Sequence, residues 1–276
     1  MTYSVVARDP DTGQLGVAVA TCTLAIGRAA TWARAGVGAV ATQASSNRGY
    51  GPRLLDLLAG GTAAPESLDL LLSRDVDAAQ RQVAVVGPLG QPVAWTGGAC
   101  LSACGHLVRD NFTVQGNMLA SRSVVPSLAD GYAEAAGDLA GRLVAGLLAG
   151  QDAGGDLRGR QSAALLVVAP VRDDEAPWEG VLVDLRVDDA PDPVAELNRL
   201  LRLQRAYETG DWAMLAANAP EGLRELHTAL AAAQRGDRDG ARDALHALRS
   251  RPGWEGWLRR LRVNGRLPHT EELMRY

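Results

Sequence analysis

The sequence holds 276 residues, 47% of them hydrophobic and 22% charged, with a net charge of −4. This is ordinary globular composition, sized for one large domain with a small appendix. It has neither the basic excess of a nucleic-acid binder nor the roughly 20-residue apolar run that crosses a bilayer. The N-terminus also lacks the charged, apolar and small-residue order of a secretory signal. A cytoplasmic protein that binds neither nucleic acid nor membrane is expected.

In chain order, MTYSVVARDPDTGQLGVAVAT opens as a hairpin. Two Val-rich runs flank the turn residues Pro10, Asp11 and Gly13. Both runs are apolar almost throughout, which predicts strands covered on both faces. Residues 36–45 give a third strand, while the preceding AATWARA carries no strand pattern. Two short helices follow over 51–61 and 64–74, the second with Pro65 at a favoured first position. Residues 81–87 and 91–97 read as a hairpin around Pro88 and Gly90, and NFTVQGNML as a strand ending at Gly116. Helical spacing over 124–148, interrupted near Gly137, predicts two helices. Strands over 162–170 and 180–189 precede a helix over 192–208, with Asp192 as N-cap and Pro193 just inside. Buried strands with outer helices predict an α+β chain built as a four-layer αββα sandwich, helices, sheet, sheet, helices.

From about Thr209 the strand signals stop. GLRELHTALAAAQRGDRDGARDALHALRSRPGWEGWLRRL reads as helix, Gly/Asp turn, helix, Pro, helix. It resembles one tetratricopeptide-type hairpin, which needs a neighbour to cover its apolar face. The expected domains are therefore 1–208 and an all-α appendix over 209–276.

Several kinds of chemistry find no support. All 28 basic residues are Arg, so no Lys can serve as a base, Schiff-base amine or phosphate-loop cation. Cys100, Cys104 and His106 cluster in CLSACGH, but the spacing matches no zinc motif and no fourth ligand is evident. GVGAVA fits a dinucleotide fingerprint, yet the strand before it and the helix after it are missing. No GxSxG elbow occurs. Neither metal nor cofactor is expected.

Thr2 is the candidate for chemistry, set against the plainer reading of a common Thr after Met that only begins a strand. An initiator Met followed by a small residue is usually removed, leaving a free Thr2. Such a residue holds a nucleophile, Oγ, and a base, the α-amine, on one unit. An α-amine pKa of about 7.7–8.0 suits general-base work near neutral pH.

Six ordered motifs, YSVVARDPDTGQLGVAVAT, WARAGVGAVATQA, YGPRLLDLL, VQGNML, GGDLRGRQSAALLVV and VDLRVDDAPDPVAELNRLLRLQRAYE, resemble the DUF1028 family over residues 1–208. The resemblance implies the N-terminal nucleophile (Ntn) hydrolase superfamily, its αββα sandwich, and Thr2 as nucleophile. It also implies a C-terminal extension of a peptidoglycan-binding type. Relatives often carry Lys or another polar residue where this chain has Cys22 and Thr23, so the amine-only mechanism is the one expected.

Acyl transfer needs a donor aimed at the developing oxyanion. Asn117 in VQGNML is the candidate, unless it only caps a turn. Ser4, Gln43, Asn47 and Tyr50 are expected around the substrate, as are Arg160, Gln161 and Ser162. Arg158 and Arg160 either grip a carboxylate or pair with Asp156 and Asp184. The expected protein is an amidohydrolase that cleaves a small-molecule amide through an acyl-enzyme on Thr2, in a homo-oligomer taken as a dimer. The alternative is an inactive Ntn-fold binding or assembly protein, one version of which holds a cell-wall peptide on its C-terminal helices.

Overall fold

The computed structural model describes residues 2–264. Met1, whose removal is expected, and 265–276, the end of the expected appendix, lie outside the described residues. The chain divides into two compact units, 1–199 and 200–276.

The first unit opens with β1 (Thr2–Arg8), β2 (Leu15–Thr21), α1 (Gly27–Ala30), β3 (Thr31–Arg34), β4 (Gly38–Ala44), α2 (Tyr50–Ala59) and α3 (Ala64–Leu72). It continues through β5 (Arg81–Val86), β6 (Val93–Thr96), β7 (Gly105–Val108), β8 (Phe112–Asn117), α4 (Val124–Glu134) and α5 (Leu139–Asp152). Strands β9 (Ser162–Val168) and β10 (Val181–Val187) and helix α6 (Pro193–Thr209) follow. Among the described residues the strands form two antiparallel sheets, ordered β10-β9-β2-β1-β8-β7 and β3-β4-β5-β6. The unit is therefore mixed α+β, as its sequence pattern predicts.

The opening hairpin closes as its turn residues dictate. Asp9 Oδ1 accepts from the backbone N–H groups of Asp11 (3.0 Å) and Thr12 (2.8 Å), and Gly13 takes a left-handed φ of 73°. All seven residues of β2 are buried, which accounts for its unbroken apolar run. On the outer face of the larger sheet, Leu143 of α5 sits over Gly16 and Gly146 lies against Val5. On the outer face of the smaller sheet, Leu54, Leu55 and Leu68 of α2 and α3 cover Val40, Val83 and Val85. Between the sheets, Val6, Leu15 and Val17 meet Ala39, Ala41, Ala84 and Val86. Small Ala side chains on one side let the sheets approach closely.

Two expectations about the elements change. AATWARA, read without a strand, contains β3, which exists because Thr31 to Arg34 pair with Gly38 to Ala41 of β4. Trp32 then lies over Gly51 of α2, where even a Cβ would come within 2.4 Å of the indole. GVGAVA still lacks its nucleotide context, since strand β4 follows the glycines where a helix is required. Strand β7, not foreseen, pairs with β8 from Gly105↔Gly116 to Val108↔Thr113.

The second unit holds α7 (Trp212–Asn218), α8 (Arg224–Gln234), α9 (Arg238–Arg249) and α10 (Trp254–Asn264). Gly236 turns the chain at φ 74°, and the Asp237 side chain accepts from the backbone N–H of Gly240 (3.0 Å), capping α9. Trp212, Leu215, Leu226, Leu230, Leu245 and Leu248 form its own core. The division between units falls inside α6, short of the expected 208, because Leu203 and Ala206 belong to that core. No helix among the described residues is long and apolar enough to cross a membrane.

Candidate active site

The period-two alternation of a strand sends every second side chain of β1, β8, β4 and β5 into the space between the sheets. Register then decides what meets there. On β1 and β8, Val6 lies beside Thr113, Ser4 beside Gln115, and Thr2 beside Asn117. On β4 and β5, Ala39 lies beside Val86, Ala41 beside Ala84, and Gln43 beside Gln82. The inter-sheet layer is thus apolar at the Val6 end and polar at the Thr2 end.

Buried amides are tolerated only when hydrogen-bonded, at about 1–3 kcal/mol for each group left unpaired. Here Gln43, Gln82 and Asn117 satisfy one another, while Gln115 gives Nε2 to the Ala41 carbonyl (3.5 Å) and leaves its Oε1 unpartnered. Ser4 Oγ donates to Gln43 Oε1 (2.9 Å). Gln43 Nε2 donates to the Thr2 carbonyl (2.9 Å) and to Gln82 Oε1 (2.8 Å). Asn117 Nδ2 donates to the same Gln82 oxygen (2.8 Å). Gln82, fully buried, is the hub: its Nε2 reaches the carbonyls of Gly105 (3.1 Å) and Gly116 (2.9 Å) and Thr96 Oγ1 (2.9 Å). Thr96 Oγ1 also lies within hydrogen-bond distance of His106 Nδ1, at 2.8 Å. Burial lowers the His106 pKa and favours its neutral ring.

Thr2 and Asn117 each open on a cavity. The Thr2 cavity, about 230 Å³, is also lined by Thr23, Ala25, Arg28, Thr42 and Ala44. The Asn117 cavity, about 310 Å³, is lined by Ala44, Ser45, Cys100 and Met118. Thr2 Oγ1 donates to Thr21 Oγ1 (3.3 Å), which lies 3.3 Å from Thr23 Oγ1. Among the described residues, the non-glycine residues with left-handed φ are Ala25 (54°), Ala44 (66°) and Met118 (49°). Each costs on the order of 1–3 kcal/mol and persists only where its surroundings hold it. Ala25 and Ala44 line the Thr2 cavity, and Ala44 and Met118 line the other. Backbone strain is concentrated around this pair of residues.

The loop after β4 is tethered from below. Arg81 gives Nε to Asp75 Oδ2 (2.8 Å) and Nη2 to Asp75 Oδ1 (3.2 Å), while its Nη1 reaches the Ser45 carbonyl (2.7 Å). Tyr50 Oη donates to Asp75 Oδ2 (3.0 Å). The Arg81 guanidinium holds the Asp75 carboxyl down to about 2. A folded pKa below the unfolded value gives stability that is present above about pH 4 and lost as the pH falls towards about 2. Replacing Asp75 with Asn should lower unfolding free energy at neutral pH by about 1–2 kcal/mol and flatten its fall in acid. Denaturant titrations across that pH range measure both effects.

The expected site residues separate into groups. Thr2, Ser4, Gln43 and Asn117 share one hydrogen-bonded cluster. Asn47 shapes the adjoining loop: its Oδ1 accepts from the Gly49 N–H (3.0 Å) and its carbonyl from Thr42 Oγ1 (3.3 Å). Tyr50 is buried in the core under α2 and lines neither cavity. Arg160 pairs with Asp192 (3.0 Å) and Gln161 with Asp189 (3.1 Å), at a separate, open depression beside Cys22. Arg158 pairs with Asp156 (3.4 Å), while Asp184 takes Arg186 (2.9 Å). Ser162 is fully buried, donates to the Thr23 carbonyl and accepts from the Ile26 N–H (3.1 Å), so it fixes the loop that walls the Thr2 cavity. Cys22 follows β2 and does not lie inside it, and burial raises its thiol pKa away from the reactive thiolate.

Gln82, Gln115, Thr96, His106 and Arg28 were not foreseen. A signal for the glutamines was present: in β1, β4 and β5 the inward positions turn from apolar to polar toward one end, and in β8 Thr113, Gln115 and Asn117 are polar throughout.

A family model described as "Family of unknown function (DUF1028)" matches residues 2–197. Among solved structures, the chain is similar to protein SPO2555 from Silicibacter pomeroyi, a crystal structure carrying the same family model. The two are 31% identical with a TM-score of 0.68, over 77% of this chain and 90% of the other. No curated protein matches the chain.

Proposed function

We propose that this chain, which belongs to the DUF1028 family, is an N-terminal-threonine amidohydrolase acting on a small amide. The reading places its first unit in the Ntn superfamily as a four-layer αββα sandwich. The helices packed on the outer face of each sheet and the apolar layer between the sheets support that architecture. One observation carries the chemistry: Thr2 and Asn117 stand opposite each other in register, each opening on a cavity.

With Met1 removed, the Thr2 α-amine takes the Oγ proton, directly or through water, as Oγ attacks the amide carbonyl. One Asn117 N–H is held on Gln82, and the second is available to the oxyanion. Collapse returns the proton to the leaving amine and leaves an ester on Thr2, which water then hydrolyses with the α-amine again as base. The Gln43 bond to the Thr2 carbonyl fixes the backbone that carries the nucleophile. The lack of any Lys favours a second reading, in which the same cleft binds without turnover.

The test is amine release from a panel of small amides. It compares the native chain with one in which Glu is inserted after Met1, so that the methionine is retained. Release by the first and none by the second is expected; equal release from both would refute the Thr2 mechanism.

A further inference from the structure

Resting on the Thr2 reading, we infer that the substrate carries a carboxylate and that Arg28 receives it. Arg28 is the one charged side chain lining the Thr2 cavity among the described residues, and no acid joins it there. It is exposed and makes no hydrogen bond or ion pair within the described chain. The arginines at the neighbouring depression differ, since Arg158 and Arg160 are already held by Asp156 and Asp192. A free guanidinium fork at the wall of a small cavity matches a carboxylate in charge and shape. One unopposed cation fits a monoanion better than a doubly charged phosphate.

The backbone that presents Arg28 is fixed in advance. Ser162 clamps Thr23 and Ile26, the Ala25 N–H donates to the Asp188 carbonyl (3.0 Å), and Thr31 Oγ1 donates to the Gly27 carbonyl (2.8 Å). At Gly27 a Cβ would lie 2.8 Å from that of Ala164, so the segment sits flush on β9. The cavity, at about 230 Å³, is below the roughly 300–1,000 Å³ range of drug-sized ligands. A short amide acid fits this size.

The experiment uses three matched pairs on the full chain: malonamate and malonamide, succinamate and succinamide, glutaramate and glutaramide. For at least one pair, kcat/KM is expected to favour the carboxylate by about tenfold or more, mainly through KM. In Arg28→Gln that ratio should fall to near one. Equal use of both members in every pair, or a preference that survives Arg28→Gln, overturns the inference. Calorimetric binding of the same pairs to Thr2→Ala protein separates this outcome from failure of the hydrolase reading. If no amide is cleaved but the carboxylate member binds tighter and loses that advantage with Arg28→Gln, the anion site stands and the hydrolase falls. If no member binds, or none is preferred, the anion site falls as well.

Discussion

Thr2→Ala is expected to lower amide turnover by about 10⁴-fold or more, the scale seen when a covalent nucleophile is removed. The α-amine remains in this variant, so the loss would isolate Oγ as the attacking atom. Folding should survive. The hydroxyl bond to Thr21 is long at 3.3 Å, and the backbone pairing of β1 with β8 does not depend on the side chain. A fall in stability near 1 kcal/mol is the expected scale for one such bond. Thr2→Ser, which keeps both nucleophile and amine, should retain turnover. Steady-state rates for the three proteins, with thermal denaturation beside them, measure the effect.

Asn117→Ala is expected to lower kcat by about 10²–10³-fold with little change in KM, the signature of an oxyanion donor that acts only in the transition state. The substitution also removes one of the two donors to Gln82 Oε1 but leaves Gln43 in place. A structural effect of about 1–3 kcal/mol can follow from disturbing that buried hub. The kcat loss should therefore be measured at a temperature where denaturation shows the variant fully folded. A rise in KM with kcat preserved would make Asn117 a binding residue only.

Much of this site was legible because strand chemistry is local. A polar residue at the start of an apolar hairpin marks Thr2, and an amide after Gly116 marks Asn117. Gln82 was hidden inside RQVAVVG, where it reads as an ordinary strand residue. Its role depends on β5 lying across from β8, and no local pattern encodes which sheet faces which. The placement of Arg160 and Gln161 at a separate depression was hidden for the complementary reason: their partners Asp192 and Asp189 sit about thirty residues on, so this pairing shows only when the loops meet. Thr31 to Arg34 gain strand structure from β4 and not from propensity. Arg28 lies in LAIGRAA, a stretch with no motif, and acquires meaning only from the cavity it lines.

The most direct measurement is the intact mass of the purified full chain before and after a β-lactone acylating probe, with Thr2→Ala in parallel. A mass lacking Met1, a single adduct on the native chain and none on the variant are expected. A retained Met1, or an adduct that persists in Thr2→Ala, would contradict a nucleophilic Thr2.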